Sequence, residues 1–233
     1  MIEKEENIDI NQKLIYNLIL IGNSGVGKTA LFKRIVEGKF EEQHLGSMAV
    51  VEKLIKDLNL ENGKVMMDLI DIPGVERWRN TFDKIYKKSD AALILYDITE
   101  KSSFDNIDTW IDYIKYYIED EETYTYFIAG KKNDLLCENE KIRKVEKNGG
   151  LSKCVNKPNM KFIGEINSID LNEEILDLEG ILKIIHEKRK DKKLKEKEKE
   201  EKEIKDKKAK EILLASQNSP KKYSKKKNKC CEC

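Results

Sequence analysis

The residues Gly22-Asn23-Ser24-Gly25-Val26-Gly27-Lys28-Thr29 constrain this chain more than any others. They follow an apolar run, Leu14 to Ile21, and open a stretch with helical spacing, Thr29 to Glu37. A G-x-x-x-x-G-K-[ST] pattern between a strand and a helix is the signature of a phosphate-binding turn, the P-loop. Glycines let backbone N–H groups wrap phosphate oxygens, and the helix N-terminus adds positive potential. Lys28 then reaches the outer phosphates while the Thr29 hydroxyl suits Mg²⁺. Gly22 to Thr29, with the adjoining Ala30, are therefore candidate nucleotide-binding residues. The turn alone does not choose between ATP and GTP, nor between a kinase, a motor and a switch.

The remaining pattern fits an α/β fold around that turn. Further strand-like runs lie at Val50 to Leu60, Val65 to Ile70, Ala91 to Ile98, Tyr124 to Ala129 and, more weakly, Met160 to Ile166. Helical spacing recurs at Glu76 to Lys88, at Ser102 to Ile118 with Ser102 or Ser103 as N-cap, and at Leu171 to Lys190. Such alternation predicts a mostly parallel six-stranded sheet with helices on both faces and ligands at the carboxyl ends of the strands. Only Glu61, Asn62, Gly63 and Lys64 separate the second and third runs. Asn62-Gly63 is a hairpin signal, so one edge pair is expected to be antiparallel.

A length of 233 residues favours one domain and an appendage over two domains. Charge divides along the same line. Residues 1–190 hold 29 Lys or Arg against 35 Asp or Glu, whereas residues 191–233 hold 16 against 9, so an acidic globule precedes a basic tail. The expected organisation is an N-terminal extension over 1–12, a domain over 13–190, a charged tether, flexible or helical, over 191–229, and a cysteine motif over 230–233. No apolar run spans a membrane, and the polar, acidic start is unlike a signal peptide. Cys137 and Cys154 stand alone while Cys230, Cys231 and Cys233 crowd the last four positions, which is no disulfide framework and points to a reducing compartment.

Asp71-Ile72-Pro73-Gly74 closes the third strand run in D-x-x-G form. Asp71 to Arg79 (DIPGVERWR), Tyr86, Leu95-Tyr96-Asp97-Ile98-Thr99, Ser103-Phe104 and Trp110 together resemble a Rab GTPase of the Ras superfamily. The resemblance spans about Leu14 to Lys190. It implies the small-GTPase fold, GTP and GDP as ligands, Mg²⁺ as cofactor, and a switch role in vesicle traffic and intracellular protein transport. By the resemblance, Asp71 holds Mg²⁺ through water and the Gly74 amide meets the γ-phosphate. Phe40, eleven residues after Thr29, stands where the family puts an aromatic ring against guanine. Ser47, eighteen after Thr29, stands at the switch position that binds Mg²⁺ and γ-phosphate; by residue type it is equally a polar loop residue. The family's N-K-x-D is matched by Lys131-Lys132-Asn133-Asp134. There Asp134 reads guanine N1 and N2, the Lys132 stem packs over the ring, and Lys131 replaces the Asn. Asn167-Ser168-Ile169 occupies the place of the family's S-A-K.

Two departures bear on catalysis. The catalytic candidates are Lys28, Gly74 and Val75, and Val75 stands where the family carries a water-positioning Gln. An isopropyl group neither donates to nor accepts from water, so weak intrinsic hydrolysis is expected. Ser47-Met48-Ala49-Val50-Val51-Glu52 also replaces the family's switch I sequence, which leaves the effectors unidentified. Either a slow GTPase or a non-hydrolysing nucleotide-binding scaffold fits.

In the tail, six lysines between Lys221 and Lys229, with no acid among them, precede Cys230-Cys231-Glu232-Cys233. Cys231 with Cys233, Cys230 with Cys231, or Cys230 alone as a C-a-a-X box are the candidate prenylation patterns. Three cysteines without histidine make a poor zinc site, and lysines without aromatics or a groove make a poor nucleic-acid site. The expected partners are thus guanine nucleotide, a membrane, and exchange, activating and effector proteins. The expected state is a monomer cycling between cytoplasm and the cytosolic face of intracellular membranes.

Overall fold

A computed structural model describes residues 14–37, 52–60, 63–74, 81–137, 140–166 and 176–217. Six strands form one sheet: β1 (Leu14–Ile21), β2 (Glu52–Leu60), β3 (Gly63–Asp71), β4 (Ala91–Asp97), β5 (Thr125–Lys131) and β6 (Met160–Ile166). Their order is β2-β3-β1-β4-β5-β6. β1 pairs in parallel with β3 and β4, β4 with β5, and β5 with β6. Only β2 runs antiparallel, in register with β3 from Glu52↔Asp71 to Leu60↔Gly63; this is the expected antiparallel edge pair, although Gly63 already belongs to β3 instead of to the turn. The chain crosses from one side of β1 to the other after β3. The carboxyl end of β1 is consequently the topological switch point, where an open α/β sheet leaves a crevice for a ligand.

The helices are α1 (Lys28–Glu37), α2 (Asp83–Lys88), α3 (Lys101–Asp105), α4 (Ile107–Lys115), α5 (Gly149–Cys154) and α6 (Leu178–Gln217). They cover both faces, which is why β4 and β5 are buried along their whole length and read as continuous apolar runs. Successive residues of β1 serve opposite cores. Leu18 and Leu20 pack in a cluster with Leu31 and Phe32 of α1 and Ile181, Leu182 and Ile185 of α6. Ile19 and Ile21 join a second cluster with Tyr86 of α2 and Ile107, Trp110, Ile111 and Ile114 of α4. Those four α4 residues recur at i, i+3, i+4 and i+7, the stripe of an amphipathic helix.

Several boundaries depart from the sequence reading. The single helix expected over Ser102 to Ile118 is interrupted at Asn106, although Asn106 N–H still bonds Ser102 O (3.0 Å) and Trp110 N–H bonds Asn106 O (3.0 Å). Neither Ser102 nor Ser103 is the N-cap, since Glu100 holds that position. The Ser103 hydroxyl instead donates to Glu100 O (2.7 Å) and accepts from Asp97 N–H (2.9 Å). The helix expected from Glu76 is described only as Asp83–Lys88, and that expected over Leu171 to Lys190 is Leu178–Gln217. α5 was not among the helices expected from the sequence. In the fold, a Cβ at Gly150 would lie 2.2 Å from the Phe162 ring, so glycine permits the helix to lie on β6.

The chain divides into two units, Met1–Arg189 and Lys190–Cys233. In the second, residues 190–217 are helical, and from Asp191 to Lys210 almost every side chain is exposed, Leu194 and Ile204 included. Lys192 and Glu196 stand one turn apart at 3.8 Å. Among the described residues, no helix is long and apolar enough to cross a membrane.

Candidate functional site

The P-loop leaves β1 at Gly22, whose φ of +139° belongs to a region that only glycine occupies readily. A Cβ there would also sit 2.3 Å from Leu95 O of the neighbouring β4. Ser24 and Gly25 form the exposed apex, Val26 is buried, and Gly27 O accepts from Leu31 N–H (3.0 Å) as α1 begins. Ala30 lies half-buried in the first turn of that helix.

Lys28 is 5% exposed. Its ammonium donates to two carbonyls of its own loop, Gly22 O (2.9 Å) and Asn23 O (2.8 Å). Burial pushes its pKa down to about 8, against the opposing pull of the Asp71 carboxylate. Asp71 ends β3 and accepts at Oδ2 from the Thr29 hydroxyl at 2.5 Å. The parallel pairing Leu20↔Asp71, prolonged by Ile72 N–H to Leu20 O (3.2 Å), brings D-x-x-G beside the P-loop. Gly74 lies against the Lys28 ammonium and the Gly22 carbonyl. A hydroxyl and a carboxylate side by side are hard oxygen donors, a chemistry that fits Mg²⁺.

Lys131, Lys132 and Asp134 lie at and just beyond the carboxyl end of β5. Lys131 is 2% exposed, its Cε lies 3.5 Å from where a Cβ on Gly27 would be, and its ammonium donates to Ile166 O at 3.4 Å. It thus bridges β5, the P-loop and the end of β6. Burial pushes its pKa down to about 8, with Asp134 acting in the opposite sense. Lys132 has φ +67°, rare for a residue with a side chain, and its ammonium pairs with Asp97 Oδ2 at 2.6 Å. Asp134 lies half-buried in a short 3₁₀ turn, Asn133–Cys137.

The structure therefore gathers Gly22 to Ala30, Asp71, Gly74, Lys131, Lys132 and Asp134 at one end of the sheet. Phe40, Ser47, Val75, Asn167, Ser168, Ile169, Cys230, Cys231 and Cys233 lie outside the described residues, as do 1–12. Two contacts at the site were not among the sequence expectations. Asn23 Oδ1 accepts from Trp110 Nε1 (3.0 Å) and Asn106 Nδ2 (3.4 Å), tying the P-loop to α4. Asp97, buried at the end of β4, holds Lys132. No spacing signals either contact. Beside the base segment, Arg143 grips Glu165 of β6 through two parallel bonds of 2.7 and 2.8 Å.

Comparison with known proteins agrees with this geometry. The Ras family profile matches residues 17–173, well over half of the chain. The chain is 26% identical over 185 residues to Ras-related protein Rab-7b of Paramecium octaurelia, covering 78% of this chain and 87% of that protein. Against Ras-related protein Rab-9A of Rattus norvegicus it is 33% identical over 123 residues, 52% of this chain and 61% of that protein. It is also 26% identical over 165 residues to GTP-binding protein yptV5 of Volvox carteri, 70% of this chain and 78% of that protein. A P-loop at the switch point of a six-stranded sheet, a D-x-x-G carboxylate on its threonine and a profile match across the domain lead to one conclusion: the chain belongs to the Ras family of small GTPases and is Rab-like within it.

Proposed function

We propose that this protein is a membrane-anchored GTP/GDP switch of vesicle traffic that hydrolyses GTP slowly on its own. The observation carrying this reading is the buried Lys28 ammonium held by its own loop, with Thr29 and Asp71 joined beside it. Two of its three N–H donors are committed to carbonyls, and the third is assigned to the β and γ phosphates. Thr29, Asp71 and Ser47 are the assigned holders of Mg²⁺, which when bound neutralises phosphate charge. Asp134 reads guanine, Lys132 and Phe40 sandwich the ring, and Lys131 with Asn167, Ser168 and Ile169 closes the pocket. Groups that pair only with guanine reject adenine strongly, since a mismatched ligand leaves them unpaired.

Val75 sets the rate. Without a water-positioning group, hydrolysis loses a few powers of ten, on the order of the effect of losing one such group elsewhere. An activating protein restores it by supplying the missing group from outside. Val75 and the altered sequence from Ser47 to Glu52 also favour a second reading, a nucleotide-binding scaffold that does not turn over. In both readings the protein is a monomer without nucleic-acid partners. Residues 191–229 tether the domain, and geranylgeranyl groups on two of Cys230, Cys231 and Cys233 act with the polybasic segment. One lipid binds a membrane marginally and reversibly, whereas a lipid plus basic charge holds firmly.

Titration of the full chain with GDP and ADP in Mg²⁺ tests the reading, and a strong preference for the guanosine nucleotide is expected. Equal affinities would overturn it. Turnover measured with and without cell extract separates the slow GTPase from the scaffold.

A further inference from the structure

We propose that Asp97, outside every nucleotide-binding motif of the sequence, is a positioning residue that fixes Lys132 so that the lysine stem is presented flat to the purine. The proposal rests on the reading of Lys132 given above.

Asp97 is the last residue of β4 and is 3% exposed. Parallel pairing sets it opposite Lys131 at the end of β5, next to the turn that carries Lys132. Its carboxylate has no freedom to swing. Oδ1 accepts from Thr99 N–H (2.8 Å) and from the Thr99 hydroxyl (2.7 Å), while its own N–H is held by Ser103 Oγ (2.9 Å). Oδ2 is thereby aimed, and Lys132 Nζ meets it at 2.6 Å.

Lys132 sits in the left-handed region at φ +67°, where a Cβ crowds the backbone. Such a conformation persists only where surrounding contacts over-determine it, and at functional sites it serves to pre-set geometry. Here Leu135 N–H bonds Lys132 O (3.2 Å) on one side, and the Asp97 pair holds the other end of the residue. The Lys132 side chain is 36% exposed although the carboxylate it meets is only 4% exposed. The side chain is thus held at its head by a buried partner while part of it stays open to solvent, and the residue is anchored at both ends. A lysine free in solution would lose rotamer freedom on meeting a ring, and anchoring removes that cost before the ligand arrives.

Release of fluorescent GDP, and of the inosine analogue, from the full chain in Mg²⁺ provides the test. The variants are Asp97→Asn, Lys132→Met and the double variant. Asparagine keeps an acceptor for both Thr99 donors but loses the charge that holds the ammonium. Each single change is expected to speed release about tenfold, the scale of one charge-assisted contact. The double variant should be no faster than Lys132→Met, because the two residues act through one contact. Both nucleotides should be affected alike, since a stem under the ring does not read its edge. A Thr99→Val variant, which removes one of the bonds aiming the carboxylate, should move release in the same direction by less, and not at all when Lys132 is methionine. Multiplying single effects in the double variant, or a changed guanosine-to-inosine ratio, would overturn the positioning role and mark Asp97 as merely structural. Should Lys132→Met leave release unchanged, the base-site reading of Lys132 falls, and the proposal with it.

Discussion

Replacing Lys131 by methionine should make the nucleotide-free protein more stable at neutral pH, an unusual outcome for a change inside a ligand site. Lys131 is 2% exposed, and burial lowers its pKa from the ordinary 10.5 to about 8. At roughly 1.4 kcal/mol for each tenfold loss of proton affinity, holding this ammonium in the fold costs about 3 kcal/mol at pH 7. Methionine fills similar space without charge. Against the gain stands the bond to Ile166 O, long at 3.4 Å and worth about 1 kcal/mol. A net stabilisation smaller than the desolvation cost follows, because the other contacts of the ammonium are lost with it. The sign of the pH dependence is equally definite. The folded pKa lies below the unfolded one, so between about pH 8 and 10.5 this residue binds more protons in the unfolded chain, and its contribution to native stability rises with pH across that window. Lys28, also pushed down to about 8, contributes in the same sense in both proteins, and the raised Cys154 thiol and buried tyrosines contribute in the opposite sense in both, so the difference between the two proteins is what isolates Lys131. Urea denaturation of the nucleotide-free protein at pH 7 and pH 9.5 measures both quantities. A variant less stable than the parent at pH 7, or one with an identical pH dependence, would refute the reasoning.

Three further outcomes are expected. Gly22→Ala combines φ +139° with a Cβ 2.3 Å from the Leu95 carbonyl, whereas Gly25→Ala has φ +80° with nothing within 4 Å. Denaturation should show a loss of about 3 kcal/mol or more for the first and about 1 kcal/mol for the second, and equal losses would refute the close approach. Arg143→Met breaks the paired bonds to Glu165, whose side chain is 11% exposed, and should cost about 2 kcal/mol in the same assay. Removing both partners should recover part of that loss. Val75→Gln should speed single-turnover GTP hydrolysis, and equal rates for the two proteins would defeat the assignment of Val75.

The P-loop, the edge hairpin and the alternation of elements could be read directly from residue order. A tight turn needs its glycines in sequence, the short break between Leu60 and Gly63 forces adjacent antiparallel strands, and burial on both faces leaves β4 and β5 apolar throughout. The same local logic failed at Ser102 and Ser103, where the hydroxyl of Ser103 serves the end of β4 instead of capping a helix, and it offered nothing for α5, where Gly150 answers to a ring twelve residues further on. Lys131 was visible as a substitution, but nothing in the motif revealed an ammonium buried between the P-loop and β6.

The sequence by itself thus determined which turns and periodic elements form, since backbone conformation and amphipathic spacing depend on near neighbours. Only the tertiary structure decided which side chains meet across the sheet's end. Asn23 meets Trp110 and Asp97 meets Lys132 because parallel pairing brings the ends of β1, β4 and β5 to one edge. A contact between residues dozens of positions apart leaves no period in the chain. It exists only once strand order and register have placed both partners at the same crevice.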